Sequence, residues 1–441
     1  GQGNSGEFEF VDGLGGGTND NISYSWGPRT DGRLIPQFTS PAGGVRGGDV
    51  TVHGGAPITA TPFLSYADNL KDFYQVGNTH INNLAITNSF DGGNMRLSYT
   101  DLRSNSIIPG VNLDRKNLAA RLNSNVTQQL KVSSSINYVN SQSDNRPSNG
   151  YGSENANYSL VAWGPRSLDI AALEDYWQPG LEGVQQYNFN YTFFDNPYFI
   201  LHENRNSFNR DRIFGNVMAN YQVDEYWSFS FRSGMDYSTE LRRFRRAFSS
   251  NRFKQGAYAE HQVGFRENNT DFLLNYNRKF GKITTDFSAG ANRLDQRATT
   301  VQTQTTQLAQ PGVYSLTNAA APLQVFQIDG RKRINSVYGI AKLGYENYLY
   351  LDVTARNDWS SALATVSSSG NTSFFYPSVS LSFIVSNRFD LPEKISFLKF
   401  RANVAQVGND TDPYQTQGVF NSQIPVNGQP TLSDQNVIPN Q

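Results

Sequence analysis

The chain has 441 residues, a formal net charge of −1 and no cysteine; this excludes a disulfide scaffold and a thiolate metal site, and the overall charge gives no reason to expect nucleic acid as a partner. Aromatic residues make up 13% of it and charged residues 17%, and Ser, Asn, Thr, Gly, Tyr and Phe stand where a helical protein would carry Leu, Ala, Lys and Glu, which points to an all-β protein. No stretch approaches the roughly 18 consecutive apolar residues of a membrane-spanning helix, so a place in a membrane requires a closed barrel.

The first 70 residues are Gly-rich and irregular, with a Gly run at 15–17 and the pairs Gly43-Gly44 and Gly47-Gly48, and read as an extracellular loop region. The stretch TPFLSYADNLKDFYQVG at 61–77 spaces Tyr66, Leu70 and Phe73 for one face of a short helix that packs the loop. From 71 to 409 the pattern is that of a partial transmembrane β-barrel, because a barrel wall sets apolar residues toward lipid at every second position and polar residues between them. Met95, Leu97 and Tyr99 alternate with Arg96, Ser98 and Thr100; Leu130, Val132, Ile136 and Tyr138 alternate with Lys131, Ser133, Ser135 and Asn137. Trp227, Phe229, Phe231, Met235 and Tyr237 then oppose Ser228, Ser230, Arg232 and Asp236, and Ile283, Thr285, Phe287, Ala289 and Ala291 oppose Thr284, Asp286, Ser288 and Asn292. With Val337 to Tyr345, Leu349 to Ala355, Phe375 to Val385 and Leu398 to Val404, the strands number about twelve.

The links are unequal. Those at Thr127-Gln128-Gln129, Asp224 to Tyr226, Lys279-Phe280-Gly281 and Glu346-Asn347 are short, whereas those at about 140–210, 239–260 and 295–332 are long, as in outer-membrane barrels with short periplasmic turns and long extracellular loops. A soluble β-sandwich also alternates with period two, but it has less use for Tyr226, Trp227, Tyr348 and Tyr350 beside short turns, where a barrel sets an aromatic girdle. Residues 410–441 read as a further extracellular loop region. The start GQGNSGEFEF and the end NVIPNQ are expected to be cuts in a longer protein, whose export signal lies outside the chain.

The 140–210 link is too long for a simple turn; Ser167 precedes a helix-like run, LDIAALEDYW, closed by Pro179-Gly180. Its Trp163, Tyr176 and Trp177 are candidates to stack on a sugar or clamp a peptide, or else to hold the loop together. The run LRRFRRAF sets Arg242, Arg243, Arg245 and Arg246 at the outer end of a strand, as a site for phosphate or an acidic partner or, more simply, as a solvated charge run. Asp410 and Asp412 invite calcium but lack a spaced oxygen-ligand loop, so no metal is expected. Nor is a catalytic residue or cofactor: there is no nucleophile elbow, P-loop or zinc helix motif, and His53, His80, His202 and His261 are far apart in the chain.

Particular words add to this pattern. ARNDWSSAL at 355–363 followed by TSFFYPSVSLSFIVSN at 372–387 resembles the SusC/RagA-like branch of TonB-dependent outer-membrane transporters of Bacteroidetes. SWGPRTDGR at 25–33, KDFYQVG at 71–77, RLSYTDLRSNSIIPGVNLDRKNLAARLN at 96–123 and RSLDIAALEDYW at 166–177 are similar to segments of that family in the same order. The resemblance covers nearly the whole chain, is weakest around 295–330, and marks Asn357, Asp358, Trp359, Tyr376, Pro377 and Ser378 as a structural signature. It implies a barrel of about 22 strands around an N-terminal plug that is not in this segment. It further implies import of oligosaccharide or peptide nutrients across the outer membrane, a SusD-like surface lipoprotein as lid, and TonB engaged through the absent N-terminal region. The competing expectation is a SusC-like structural subunit of a larger outer-membrane assembly or protein-biogenesis complex without transport activity, since fold alone does not fix function.

Overall fold

The computed structural model describes residues 29–44, 46, 56–364, 372–416, 420–427 and 429–434; the Gly run at 15–17 and Gly47-Gly48 lie outside them. A two-residue pairing of β1 (Leu34–Ile35) with β2 (Thr61–Pro62) and the short helix α1 (Asn69–Phe73) come first. Four strands follow: β3 (Asn78–Phe90), β4 (Gly93–Asn105), β5 (Asn112–Asn125) and β6 (Leu130–Ser143). Helices α2 (Ala156–Trp163) and α3 (Pro197–His202) separate these from β7 (Asn206–Gln222), β8 (Trp227–Phe248), β9 (Gln255–Phe280) and β10 (Ile283–Thr305). Then come β11 (Gln324–Tyr345), β12 (Leu349–Ser360), β13 (Ser373–Ile384), β14 (Lys399–Ala405) and the pair β15 (Phe420–Val426) and β16 (Gln429–Asp434). Strands β3 to β14 form one antiparallel 12-stranded sheet, each paired with its neighbours in the chain. Twelve strands and an all-β class are what the alternation predicts; the sheet is open, with β3 and β14 as its edges.

Cross-strand register carries one face of the pleat across the whole sheet. Leu84, Tyr99, Leu118, Tyr138, Ile213 and Tyr237 follow one another from β3 to β8, and Phe231, Phe272, Ala291 and Val337 from β8 to β11. Phe287, Ala341, Val353, Val379 and Val404 continue that face to β14. Among the described residues none covers it: Phe272 is 43% exposed, Val379 45% and Leu381 46%. Covering one such side chain is worth about 1.5–3 kcal/mol, so a continuous uncovered apolar face of this size needs an apolar surrounding. At the height of this band the opposite face holds the charges, among them the in-register row Asp286, Lys342 and Asp352, with scattered apolar residues such as Phe214, Leu273 and Ile340.

The links alternate in length as expected. At one end lie the short turns 91–92, 126–129, 223–226, 281–282 and 346–348, with a longer one at 385–398. Glu346 and Asn347 both take positive φ, 44° and 61°, the conformation that lets a tight turn match the right-handed twist of the strands it joins. At the other end, two of the three long links are corrected. Strand β8 continues to Phe248 and β9 begins at Gln255, leaving 249–254 of the expected 239–260 loop; β10 and β11 likewise occupy most of 295–332, leaving 306–323. The four strands are 22, 26, 23 and 22 residues long, where about 9–11 cross a bilayer. Beyond the apolar band neither face has to be apolar, so the alternation fades while the hydrogen-bond ladder goes on.

The third long link, 144–205, is a folded body. Leu160, Leu168, Leu173, Tyr187, Ile200 and Leu201 pack in its core with Phe38 and Phe73 from the segment before the sheet. The expected helix over LDIAALEDYW is a single 3-10 turn, Ala171–Leu173, because Leu168, Ile170 and Leu173 all reach the core at spacings no α-helical face provides. The helices present are α2, capped by Asn155, and α3, capped by Asn196 with Pro197 at its first turn. In α1 the buried residues are Asn69 and Phe73, while Tyr66 before it stays exposed. Asn69 Nδ2 donates to the Pro165 carbonyl at 3.0 Å, and its Oδ1 accepts from Arg166 at 3.0 Å.

Candidate functional site

Alternation places the even-numbered residues of β11, β12 and β13 on the charged face, where an ionic cluster forms around the signature words. Asp358, buried, accepts from Arg356 Nε at 2.7 Å and from the Tyr376 hydroxyl. Arg356 Nη2 donates to Ser336 Oγ at 2.8 Å, and its guanidinium lies 5.5 Å from the centre of the Tyr338 ring. Gly290 makes room for that ring, which a Cβ there would strike. On the same face Ser378 and Thr354 share a hydroxyl hydrogen bond of 2.6 Å, Arg232 holds Asp271 at 2.6 Å, and Arg212 holds Asp236 through two bonds. Such charge-assisted pairs fix side chains in place.

The signature residues therefore divide by parity. Asp358, Tyr376 and Ser378 sit in the polar network; Asn357, Trp359 and Pro377 face the other way, with Trp359 43% exposed at the upper margin of the apolar band. Pro377 costs no ladder bond, since its carbonyl points toward β14, accepting from Gln406 N at 3.0 Å one step beyond the end of that pairing.

Asp410, read from sequence as part of a polar loop, is an anchor. Lys332 Nζ donates to its Oδ1 at 2.7 Å and Ser360 Oγ to its Oδ2 at 2.6 Å, which draws the segment after β14 back across the charged face. A separation of 78 residues from Lys332 gives no sequence signal for that pair. Among the described residues no group of His, Asp or Glu is placed to hold a metal ion.

The three aromatic candidates lie in the loop body but do not form one surface. Trp163 ends α2 and stacks on Phe194 at 5.9 Å, its buried indole N–H without a partner among the described residues. Trp177 meets Phe199 edge-on at 5.3 Å. Tyr176 stacks on His202 at 5.7 Å and donates to Glu203 Oε1 at 3.0 Å; burial first, then the Glu203 charge, pushes its phenol up to about 12. Their faces are largely spent on holding the loop body together.

The arginine run is not simply solvated. Arg242 pairs with Glu240 and Arg243 with Glu260 along the strands, while Arg246 is buried and reaches Glu154 of the loop body at 2.5 Å and Asn206 Oδ1 at 2.8 Å. The loop body grips the tip of the β8–β9 hairpin further through Gln186, whose Nε2 donates to the Ser249 carbonyl at 2.7 Å and to Asp195 Oδ1 at 2.8 Å. Asp195 Oδ1 also accepts from Asn251 N at 2.6 Å, and burial raises this carboxyl to about 6.

No family model and no curated protein matches the chain. Among solved structures, the RagAB peptide transporter matches with a TM-score of 0.66 at 15% identity, over 84% of this chain and 41% of that one. The RagAB peptide importer in its open-open state matches with a TM-score of 0.64 at 16% identity, over 83% and 40%. In its closed-closed state the values are 0.62 and 14%, over 84% and 41%. The chain thus spans about two fifths of the RagAB chains it matches, and these are transporters, not enzymes. The twelve-stranded sheet has the fold of the barrel wall of RagAB, a transporter of the SusC/RagA type, in keeping with the words at 355–363 and 372–387.

Proposed function

We propose that the chain is wall and outer loop body of an outer-membrane transporter that imports peptide or oligosaccharide nutrients, driven through TonB and served by a SusD-like surface lipoprotein. The observation that carries this reading is the division of the sheet into two chemically different faces. The apolar face suits the hydrocarbon of a bilayer, and the charged face, with Arg356, Asp358, Tyr376, Arg232 and Asp271, suits the wall of a wet passage. In this reading the short turns 91–92, 126–129, 223–226, 281–282 and 346–348 face the periplasm. The regions 1–70, 144–205 and 410–441 lie outside the cell, where Trp163, Tyr176 and Trp177 stand at the approach to the passage.

The test is to extract the protein gently from outer membranes and identify by mass spectrometry what co-purifies. One surface lipoprotein with bound peptide or glycan is the expected result and names the cargo class. Several envelope-assembly proteins without cargo would overturn import in favour of a structural subunit of a larger membrane complex.

A further inference from the structure

The register of β9, β10 and β11 sets three arginines side by side. Arg266, Arg297 and Arg331 are direct cross-strand neighbours on the face that carries the apolar band. Like charges directly opposite one another in a sheet are destabilising. One step nearer the band lies the row Asn268, Asp295 and Arg333, and below it Thr270, Arg293 and Asn335, with Trp359 next in register. Five arginines meet two aspartates here: Arg297 is held by Asp329 at 2.6 Å and Arg333 by Asp295 at 2.6 Å. Arg331 reaches Asp329 only at 3.7 Å, beyond hydrogen-bond distance, and the side chains of Arg266 and Arg293 make no close ion pair or hydrogen bond among the described residues, meeting the charge of Asp295 only at longer range. The chain as a whole carries a formal charge of −1, so this local excess of cations is not a general property of its surface.

The height of the patch identifies the anion that answers it. Arg293 is two residues above Ala291, the last apolar row of β10, which is about 7 Å along the strand. Arg266 is six residues above Phe272, about 20 Å along a strand tilted near 45°. The cations therefore begin where hydrocarbon ends, at the depth of a headgroup, and a shallow groove beside Phe272, Ala291, Val337 and Trp359 continues from Arg293 down onto the apolar face. A small soluble anion would use the arginines alone, whereas this arrangement offers guanidinium groups above and apolar surface below the same point.

We propose that Arg266, Arg293 and Arg331 form a binding site for the phosphate of an outer-leaflet glycolipid headgroup, with an acyl chain lying along the groove beneath Arg293. Guanidinium is the donor suited to phosphate because its planar fork makes two parallel bonds. The site rests on the barrel reading above, which places this end of the strands in the outer leaflet.

The test uses the protein purified from outer membranes in mild detergent, as wild type, as the triple variant Arg266→Gln, Arg293→Gln and Arg331→Gln, and as the triple Lys variant. Each is incubated with diphosphoryl lipid A, with phosphatidylethanolamine or with inorganic phosphate, and bound lipid is counted by native mass spectrometry alongside the melting temperature. The wild type is expected to retain lipid A and to melt higher with it; the Gln variant should bind at least tenfold more weakly, and the Lys variant should recover part of the loss. Without lipid the Gln variant should melt above the wild type, because it lacks the like-charge row. Equal retention of lipid A by wild type and Gln variant would overturn the site, as would equal uptake of phosphatidylethanolamine or displacement by inorganic phosphate at stoichiometric concentration. Recovery of the wild type in the soluble fraction would instead overturn the barrel reading itself.

Discussion

In the sheet, Phe231 and Leu381 are 40% and 46% exposed, and the buried residues of β8 to β13 are mostly polar; in the loop body, Phe199, Leu173 and Leu160 are wholly buried around an ordinary apolar core. The two regions thus have opposite polarity within one chain. The loop body follows the rule for a protein in water, apolar inside and polar outside, and its buried Asn196 is fully used: it caps α3 and also donates to the Leu173 and Tyr187 carbonyls. The sheet follows the rule for a wall between lipid and water, with its ladder satisfying the backbone and its apolar residues turned outward. A polar substitution should therefore have opposite consequences according to the solvent its position meets.

The largest test of that contrast is Phe231→Arg or Leu381→Arg, which puts a charge in the apolar band and should cost about 2–4 kcal/mol, seen as a fall in heat-modifiable assembled barrel. Ser230→Arg, one residue away on the charged face where Ser230 donates to Asn220 at 2.7 Å, should assemble nearly as wild type. Equal losses at Ser230 and Phe231 would break the assignment of faces.

A smaller effect belongs to the loop body. The Asp195 carboxyl is buried, its Oδ2 without a partner among the described residues, and raised from 3.8 to about 6 by desolvation. Because the folded value lies above the unfolded one, the contribution of this group is fully present below about pH 4 and is lost as pH rises through 6. The rise from 3.8 to about 6 corresponds to about 3 kcal/mol. Asp195→Asn keeps the Oδ1 that accepts from Gln186 and Asn251 and removes the charge, at the cost of a new buried N–H worth about 1 kcal/mol. At pH 8 the variant should protect the 247–255 hairpin tip from hydrogen exchange by about 2 kcal/mol more than wild type, and near pH 4, where the wild-type carboxyl is protonated, by about 1 kcal/mol less. Parallel pH profiles would show that the grip of Gln186 and Asp195 on the hairpin does not titrate.

The same contrast governs what could be read from the sequence. In the wall, one residue of every two meets lipid, so period-two words such as Trp227 to Tyr237 announce strand, face and register together, and the number of strands follows. Where β8 to β11 rise above the band, both faces meet water, the period disappears, and the strands were legible only as loops. The loop body obeys no period: Leu168, Ile170 and Leu173 look like part of a helix and are not, while Asn196-Pro197, a capping residue followed by proline at the first helical position, is a start signal for α3 that a search for apolar periodicity passes over. Within the candidate site, Asp358, Tyr376 and Ser378 could be named from the words that contain them, but Lys332, Ser336, Tyr338 and Asp410 join them across strand pairings and a returning segment that no local pattern records.

A last prediction asks whether the polar network is structure or passage. Tyr376→Phe removes the hydroxyl that donates to Asp358 and leaves the stacking of its ring on Phe374 at 5.7 Å. Asp358 keeps Arg356, so no charge is stranded, and the loss should be that of one hydrogen bond to a charged group, about 1.5–3 kcal/mol. If the network only braces the wall, the variant melts slightly lower and transports as wild type. If Arg356 and Asp358 line the path of the cargo, freeing the carboxylate should change uptake while melting moves no more than that single bond allows. Uptake measured in cells at matched barrel abundance separates the two outcomes, because a bracing role acts only through the amount of assembled protein.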